Sequence, residues 1–215
     1  MVDFGKVFMI SGPAGVGKST VSCRLLEHYP RQLKKIITIT TRAPRLGEVN
    51  GVDYCFIDEA TFLKYIAEDK FLEYTNVHRK YFYGTPIASV FSNIRHGVDS
   101  LLVVDVQGVM NIRKRFQRLP IRMVSIFMMP ENLNVLEDRL RMRGSESPDD
   151  LAQRLKSAEH EIKFANNCDY IVLSGSREED FISMETIYKM EQTTQEQAPL
   201  ALKFTYNVGQ LMPHR

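Results

Sequence analysis

Short apolar runs alternate along most of the chain with segments in which apolar residues recur at helical spacing. The apolar runs predict buried strands at 6–10, 101–108, 123–129 and 169–174. The helical spacing predicts helices at 19–29, 107–118, 131–142 and 148–166, the last with Ser147 as N-cap and Pro148 at its first position. This alternation is typical of a parallel sheet flanked by helices, and we therefore expect an α/β protein.

Residues 36–85 interrupt the alternation. They contain β-branched runs, turn residues and strand-like alternation, with a short helix near 59–68. We expect an inserted subdomain with antiparallel strands, followed by a return helix at 86–96. Residues 192–215 are polar and then mixed, and the pattern predicts no element there.

Composition and charge narrow the class of protein. The chain has 215 residues, of which 44% are hydrophobic and 25% charged, as in ordinary globular domains. A formal net charge of +2 argues against nucleic acid or an anionic membrane as a partner. No stretch reaches the ~20 apolar residues that span a bilayer. Three widely spaced cysteines, Cys23, Cys55 and Cys168, indicate reduced thiols and predict a cytoplasmic protein.

The segment GPAGVGKS at 12–19 matches the pattern G-x-x-x-x-G-K-[ST] between a predicted strand and a predicted helix. Backbone N–H groups in such a turn point at phosphate oxygens, Lys18 reaches the β- and γ-phosphates of ATP, and the Ser19 hydroxyl joins a Mg²⁺ shell. The predicted ATP-binding residues are Gly12, Pro13, Ala14, Gly15, Val16, Gly17, Lys18, Ser19 and Thr20. The alternative is an ordinary glycine-rich turn. We call residues 12–19 the phosphate loop.

Three further segments bear on a second substrate: TTRAPRLGEVNGVDY (40–54), FLEY (71–74) and YGTP (83–86). Together with the phosphate loop, they resemble the guanylate kinases, which phosphorylate GMP from ATP. The resemblance runs from about Lys6 to about Lys189. It implies a three-layer α/β/α P-loop kinase fold with a parallel core sheet, an inserted mixed β subdomain that binds GMP, and a helical lid. It also implies Mg²⁺ as cofactor and the small molecules ATP and GMP as partners.

The resemblance also implies a division of the chain. Residues 1–191 would form the guanylate-kinase-like domain, and 192–215 a C-terminal tail of unknown role. The domain would consist of a core (about 4–36, 86–130 and 155–191), a GMP-binding subdomain (about 37–85) and a lid (about 131–154).

The family positions that hold the GMP phosphate match Arg42, Arg45, Tyr54 and Tyr83. Arginine forks suit bidentate contacts with a phosphate, and tyrosine hydroxyls complete them. Taken without the resemblance, the two arginines would indicate a solvated basic turn, and either tyrosine could be a core residue.

Glu73 matches the family position that reads guanine. A carboxylate accepts hydrogen bonds from both the N1–H and the 2-amino group of guanine. Adenine has neither donor, because its N1 is an acceptor and it lacks a 2-amino group. Thr38 and Thr85 fall where the family has hydroxyl groups facing the base. The alternatives are a surface acid for Glu73 and an N-cap of the helix at 86–96 for Thr85.

Lys18, Asp105 and three lid arginines are the predicted catalytic residues. Arg139 and Arg143 are four positions apart and share one helix face. Arg154 begins the return helix, and such arginines close over a reacting triphosphate. Asp105 follows a strand, where it can order Mg²⁺, water or GMP, or simply cap the next helix. Neighbouring Arg141 fits a solvated helix face.

Two positions depart from the family pattern. Val103 stands where many relatives carry a second acid, and Ser174 stands where an asparagine, followed by an aspartate, is common. His78 and the basic run at 113–115 are interpreted as surface features.

Three other functions remain to be weighed. A kinase for AMP is disfavoured by Glu73 and the 40–54 segment. A non-catalytic guanylate-kinase-like binding module is disfavoured by the intact phosphate loop and lid arginines. A GTPase switch lacks its guanine-reading motif. The sequence makes no prediction of oligomeric state.

Overall fold

A computed structural model describes residues 4–77, 80–117, 121–142 and 148–193, apart from the side chains of residues 148 and 149. The strands are β1 (Val7–Ser11), β2 (Leu33–Lys35), β3 (Ile39–Thr40), β4 (Cys55–Phe56), β5 (Phe71–Val77), β6 (Tyr81–Pro86), β7 (Asp99–Val103), β8 (Met123–Pro130) and β9 (Tyr170–Ser174). The helices are α1 (Lys18–His28), α2 (Glu59–Ala67), α3 (Ile87–Arg95), α4 (Val106–Phe116), α5 (Leu133–Met142), α6 (Pro148–Ile162) and α7 (Arg177–Thr193). Among these residues no helix is long and apolar enough to cross a membrane.

The core sheet has five parallel strands in the order β2-β7-β1-β8-β9. Its central strand β1 is buried along its whole length. Burial on both faces explains why β1 and β8 are continuous apolar runs rather than alternating ones. The parallel sheet confirms the predicted α/β class.

Helices cover both faces of the core sheet, so the core has three layers. Phe8 and Ile10 point to the side of α1, α5, α6 and α7. Val7 and Met9 point to the opposite side, where α3 and α4 pack. Because the carboxyl ends of parallel strands share one edge, the turns after β1, β7, β8 and β9 converge there.

A second sheet lies in the inserted segment, with strand order β4-β3-β6-β5. One face is apolar and packs on α2 through Ile39, Phe62 and Phe71. The pairs β3–β6 and β5–β6 are antiparallel, whereas β3–β4 is parallel. The second sheet is therefore mixed, which confirms the mixed β subdomain that the resemblance implies. The expectation of antiparallel strands from the sequence pattern is wrong only for β3–β4, because the long connection over 41–54 returns the chain to the same end of the sheet.

Several element boundaries differ from those expected. The strand expected at 101–108 ends at Val103, because Asp105 begins α4 as its N-cap. The helix expected at 148–166 ends at Ile162, followed by a short 3₁₀ turn. The sequence pattern missed β2 and α7, since β2 has one buried residue and α7 is rich in charge. Ser147, the expected N-cap, lies outside the described residues.

The missed helix α7 is anchored to the sheet by two buried acids. Glu191 accepts two hydrogen bonds from Arg122, at 2.8 and 3.0 Å, and one from Tyr170 at 2.8 Å. Asp99 accepts hydrogen bonds from the Tyr188 hydroxyl at 3.0 Å and from Gln192. These contacts fix α7 to the edge of the sheet away from the phosphate loop.

Candidate active site

The phosphate loop connects β1 to α1 with an unusual backbone. Gly12, Gly15 and Gly17 have φ angles of 133°, 90° and 114°, which other residues rarely adopt. A Cβ at Gly12 would also collide with the carbonyl group of Met128 on β8. Gly17 is the N-cap of α1 and offers no side-chain hydrogen bond, so the first N–H groups of α1 face an anion site.

Lys18 folds back over this turn. Its Nζ donates to the carbonyl oxygens of Gly12 and Pro13, the latter at 2.9 Å. Ser19 and Thr20 follow on the first turn of α1 and are exposed. The structure thus places the ammonium group and both hydroxyl groups around the same turn.

Asp105 lies at the carboxyl edge of the core sheet, as expected. Its Oδ1 accepts a hydrogen bond of 2.6 Å from the backbone N–H of Gly108, so the helix-cap alternative describes one of its two oxygens. Val103 is half-buried and pairs with Ile10 of β1. β7 therefore ends in an apolar side chain two residues before Asp105.

Glu161 on α6 is a carboxylate that the sequence analysis missed. Burial raises the pKa of Glu161 to about 7, the Lys18 ammonium lowers it, and the Asp105 carboxylate raises it further. Glu161 lies seven positions after Arg154, with buried Ala158 between them, so all three share one helix face. That spacing was the available signal.

Glu73, Tyr83 and Thr85 share one face of the second sheet. The register pairs Glu73 with Thr85 and Thr40 with Tyr83, and side chains of paired residues lie on the same side. The Thr85 hydroxyl donates to Glu73 Oε1 at 2.7 Å. Thr85 therefore does not cap α3, whose N-cap is Pro86. Thr38 is half-buried just before β3, and its carbonyl accepts from the N–H of Cys55 at 2.9 Å.

The Glu73 carboxyl group is buried beside the start of α4. A Cβ at Gly108 would lie 3.4 Å from Glu73 Oε2 and 3.2 Å from Asp105 Oδ1, so the two acids flank the same point. Burial raises the pKa of Glu73 to about 7; the hydrogen bond from Thr85 opposes this shift, and the Asp105 charge adds to it. The alternative of a surface acid is wrong, since Glu73 is 8% exposed.

Arg42 is buried just after β3, and each of its three guanidinium nitrogens donates one hydrogen bond. Nε donates to the Tyr83 hydroxyl at 3.1 Å, one Nη donates to the Ala43 carbonyl, and the other donates to Glu48 at 2.8 Å. The Tyr54 ring lies 5.4 Å from the guanidinium carbon. Burial opposes the charge of Arg42, but the hydrogen bonds to Glu48 and Tyr83 raise its pKa above the usual range.

Glu48 is a second carboxylate that the sequence analysis did not select, although it lies in the quoted 40–54 segment. Its Oε2 accepts from the backbone N–H of Arg45 at 2.7 Å while Oε1 holds Arg42. Burial acts to raise the pKa of Glu48, but these two hydrogen bonds lower it overall. The Arg45 side chain itself is exposed.

Arg139 on α5 contacts the phosphate loop from outside. Its guanidinium donates to the Val16 carbonyl at 3.2 Å, to the Ser174 hydroxyl at 3.2 Å and to the Gly175 carbonyl at 3.0 Å. Arg154 is half-buried on α6. Arg141 is exposed and pairs with Glu137 at 2.6 Å, as expected of a solvated face. Arg143 and His78 lie outside the described residues.

The side chains near the phosphate loop that could bind a metal ion do so through oxygen atoms. Within the described part of the chain, no group of three or more His, Cys, Asp and Glu side chains is arranged to hold a metal ion. The oxygen groups near Lys18 include the Ser19 hydroxyl and the carboxylates of Asp105 and Glu161, two acids whose charges interact. Such a sparse oxygen set fits Mg²⁺, which keeps several waters and takes further oxygens from bound phosphates.

Comparisons with known proteins agree with this geometry. The model of the family described as "Guanylate kinase" matches residues 5–191. A guanylate kinase from Rickettsia typhi is 39% identical over 170 residues, 79% of this chain and 83% of that protein. One from Thermus thermophilus is 40% identical over 185 residues, 85% of this chain and 81% of that protein. The crystal structure of a guanylate kinase from Anaplasma phagocytophilum superposes with a TM-score of 0.71 at 32% identity, covering 90% of this chain and 89% of that one.

Proposed function

This chain belongs to the guanylate kinase family, and from that premise we propose the reaction it catalyses: transfer of the γ-phosphoryl group of ATP to GMP, which yields ADP and GDP. The chain is a nucleoside monophosphate kinase. The observation that carries the choice of GMP is the polar face of the second sheet, where Glu73 and Arg42 are buried and Glu73 lies beside Asp105 at the carboxyl edge of the core sheet.

ATP binds to residues 12–20. The N–H groups of the phosphate loop and of the first turn of α1 surround the β- and γ-phosphates. Lys18 exchanges its hydrogen bonds with the Gly12 and Pro13 carbonyls for bonds to phosphate oxygens, which are charged and therefore stronger acceptors. Mg²⁺, when bound, neutralises charge on the phosphates. Ser19 would hold it together with phosphate oxygens and water.

The GMP phosphate binds to Arg42, Arg45, Tyr54 and Tyr83. Glu48 compensates the charge of the buried Arg42 guanidinium and fixes its plane, so that the two phosphate-binding N–H groups are oriented before the phosphate arrives. Exposed Arg45 is free of burial costs and can follow the incoming anion. Since Tyr83 already accepts a hydrogen bond from Arg42, its O–H hydrogen can be donated to a phosphate oxygen.

Guanine binds beside Glu73, Thr85 and Thr38. Ionised Glu73 accepts the N1–H and the 2-amino group on its two oxygens, one of which is now held by Thr85. Thr38 and Thr85 supply hydroxyl groups for the remaining edge of the base. Asp105 lies beside Glu73 and contributes to the GMP side as well as to water near the metal.

In the transfer step, an oxygen of the GMP phosphate attacks the γ-phosphorus while the bond to the β–γ bridging oxygen breaks, and ADP carries away the released electron pair. Lys18, Arg139, Arg143 and Arg154 stabilise the charge that spreads over the transferred group. The lid at about 131–154 and the subdomain at about 37–85 close to exclude water. The remaining core segments, about 4–36, 86–130 and 155–191, stay fixed.

We also propose that the chain divides into a domain at 1–191 and a tail of unknown role at 192–215, that neither nucleic acid nor a membrane is a partner, and that the protein works in the cytoplasm. Cys23, Cys55 and Cys168 are free thiols, which supports a reducing compartment.

ADP formation measured with GMP, AMP or UMP as acceptor tests the proposal. We expect turnover with GMP well above the ATP-only background and at least 100-fold above AMP, because a polar site left with unpaired groups rejects the wrong base strongly. No GMP-dependent ADP would overturn the proposal. Equal rates with AMP and GMP would support kinase activity but contradict the selection of guanine by Glu73.

A further inference from the structure

Ser174 is the last residue of β9. Its side chain is 3% exposed, and its hydroxyl oxygen lies within hydrogen-bond distance of three groups. These are the Val16 carbonyl at 3.0 Å, Asp180 Oδ2 at 3.1 Å and a guanidinium nitrogen of Arg139 at 3.2 Å. The hydroxyl therefore joins the phosphate loop, α7 and α5 at one point.

Proton counting orders these contacts. Arg139 can only donate, so Ser174 accepts from it. The hydroxyl has one hydrogen for two acceptors, and the carboxylate of Asp180 is the stronger one. The Val16 carbonyl then takes its hydrogen bond from Arg139, 3.2 Å away. With Asp180 as the acceptor, every group in the cluster has a partner.

Asp180 is built into this cluster rather than lying near it by chance. It is 6% exposed, and its second oxygen accepts from the backbone N–H of Gly175 at 2.9 Å. A Cβ at Gly17 would lie 3.4 Å from Asp180 Oδ2, so the carboxylate also borders the phosphate loop. The neighbouring carbonyl of Gly175 accepts from Arg139.

We propose that Asp180 is a positioning residue, which acts through Ser174 and Gly175 to hold the Arg139 guanidinium against the phosphate loop at the ATP end of the site. Asp180 orients the Ser174 hydroxyl so that its lone pairs face Arg139. It also anchors the backbone N–H of Gly175, the residue whose own carbonyl accepts from Arg139. This proposal rests on the proposed function only for the role of Arg139 in binding ATP.

Asp180→Asn tests the proposal, because the amide keeps the shape of the side chain but can offer Ser174 a donor in place of an acceptor. We expect the dissociation constant of ATP, measured by calorimetry without GMP, to rise about tenfold, as small misplacements of a binding group do. The KM for GMP should stay within twofold. Asp99→Asn is the matched control, since Asp99 is equally buried (6% exposed) and bonded to the same helix, far from the site. It should lower the melting temperature and leave ATP binding unchanged.

A double-mutant cycle separates positioning from a general loss of structure. In an Arg139→Ala background, Asp180→Asn should weaken ATP binding by less than twofold, because the group it positions is absent. Should Asp180→Asn fold poorly, Ser174→Ala breaks the same link and should show the same non-additivity with Arg139→Ala. A full tenfold effect in the Arg139→Ala background, or unchanged ATP binding in the single variants, would overturn the proposal. Absence of GMP-dependent turnover in the wild type would instead overturn the proposed function, and the ATP-binding results would still decide the role of Asp180.

Discussion

The proposed ATP and GMP sites hold their phosphate groups in two physically different ways. At the ATP end, the phosphate loop offers backbone N–H groups, a helix N-terminus and one lysine, all within residues 12–20. At the GMP end, the second sheet offers side chains: a buried arginine, two tyrosines and an exposed arginine. The first site depends on backbone conformation, and the second depends on the pairing of strands that are far apart in the chain.

This difference determines how each site is kept ready for an anion. Residues 12–19 include no acid, and the Lys18 ammonium donates to the carbonyls of Gly12 and Pro13 while interacting at longer range with the Glu161 carboxylate of α6. The second sheet buries a cation, Arg42, and needs Glu48 to compensate its charge. A backbone site can therefore be lost by changing one residue's conformation, whereas a side-chain site can be weakened in steps.

The largest effect is expected at the ATP end. Lys18→Ala should reduce kcat by about 10³-fold, because the loop loses the charge that meets the reacting phosphates. Exposed Lys114→Ala on α4 is the control and should retain activity in the same ADP-release assay. Activity of Lys18→Ala within tenfold of the wild type would contradict the assignment of this loop to the reacting phosphates.

A smaller effect is expected at the GMP end. Arg42→Lys keeps the charge but loses the planar fork, so the KM for GMP should rise about 10-fold to 100-fold while the KM for ATP stays constant. The same change at exposed Arg45 should cost less, because Arg45 holds no buried network. Steady-state kinetics with each substrate varied separately check this. If Arg45→Lys weakened GMP as much as Arg42→Lys, pre-orientation by Glu48 would not matter.

The smallest effect concerns pH. The pKa of Glu73 is raised to about 7 by burial, so the carboxyl group becomes neutral as pH falls below 7. Guanine needs the ionised form, and GMP binding should therefore weaken by up to about tenfold per pH unit below 7. Glu73→Gln does not titrate, and its remaining pH dependence reports the GMP phosphate. Calorimetry of GMP binding to both proteins between about pH 5.5 and about pH 8 measures the difference in their pH dependence. Equal slopes for the two proteins would contradict an ionised Glu73 in the complex.

The sequence predicted the ATP end more completely than the GMP end, for the same physical reason that distinguishes them. The phosphate loop is a local turn, and its three glycines and its lysine all lie within residues 12–18. The strand content of the inserted segment was also visible, but the parallel pairing of β3 with β4 was not, because register depends on the path of 41–54.

The residues that the sequence analysis missed share one property. Glu48, Glu161 and Asp180 each act on a group from another element or turn: Arg42, Lys18 and Ser174 respectively. Charged residues are usually exposed to solvent, so the residue type alone does not predict that one of them is buried. Asp105 was selected because it follows an apolar strand, and the cap that the sequence offered as its alternative role is confirmed by the hydrogen bond from Gly108.

The central claim is that Glu73 selects guanine by accepting hydrogen bonds from its edge. Binding of GMP and of inosine monophosphate, which lacks only the 2-amino group, should be compared by calorimetry in wild type and Glu73→Gln. We expect the wild type to prefer GMP by about 10-fold to 100-fold, the value of one hydrogen bond to a charged group, and the preference to fall below about threefold in Glu73→Gln. A preference that is the same in both proteins would contradict the claim.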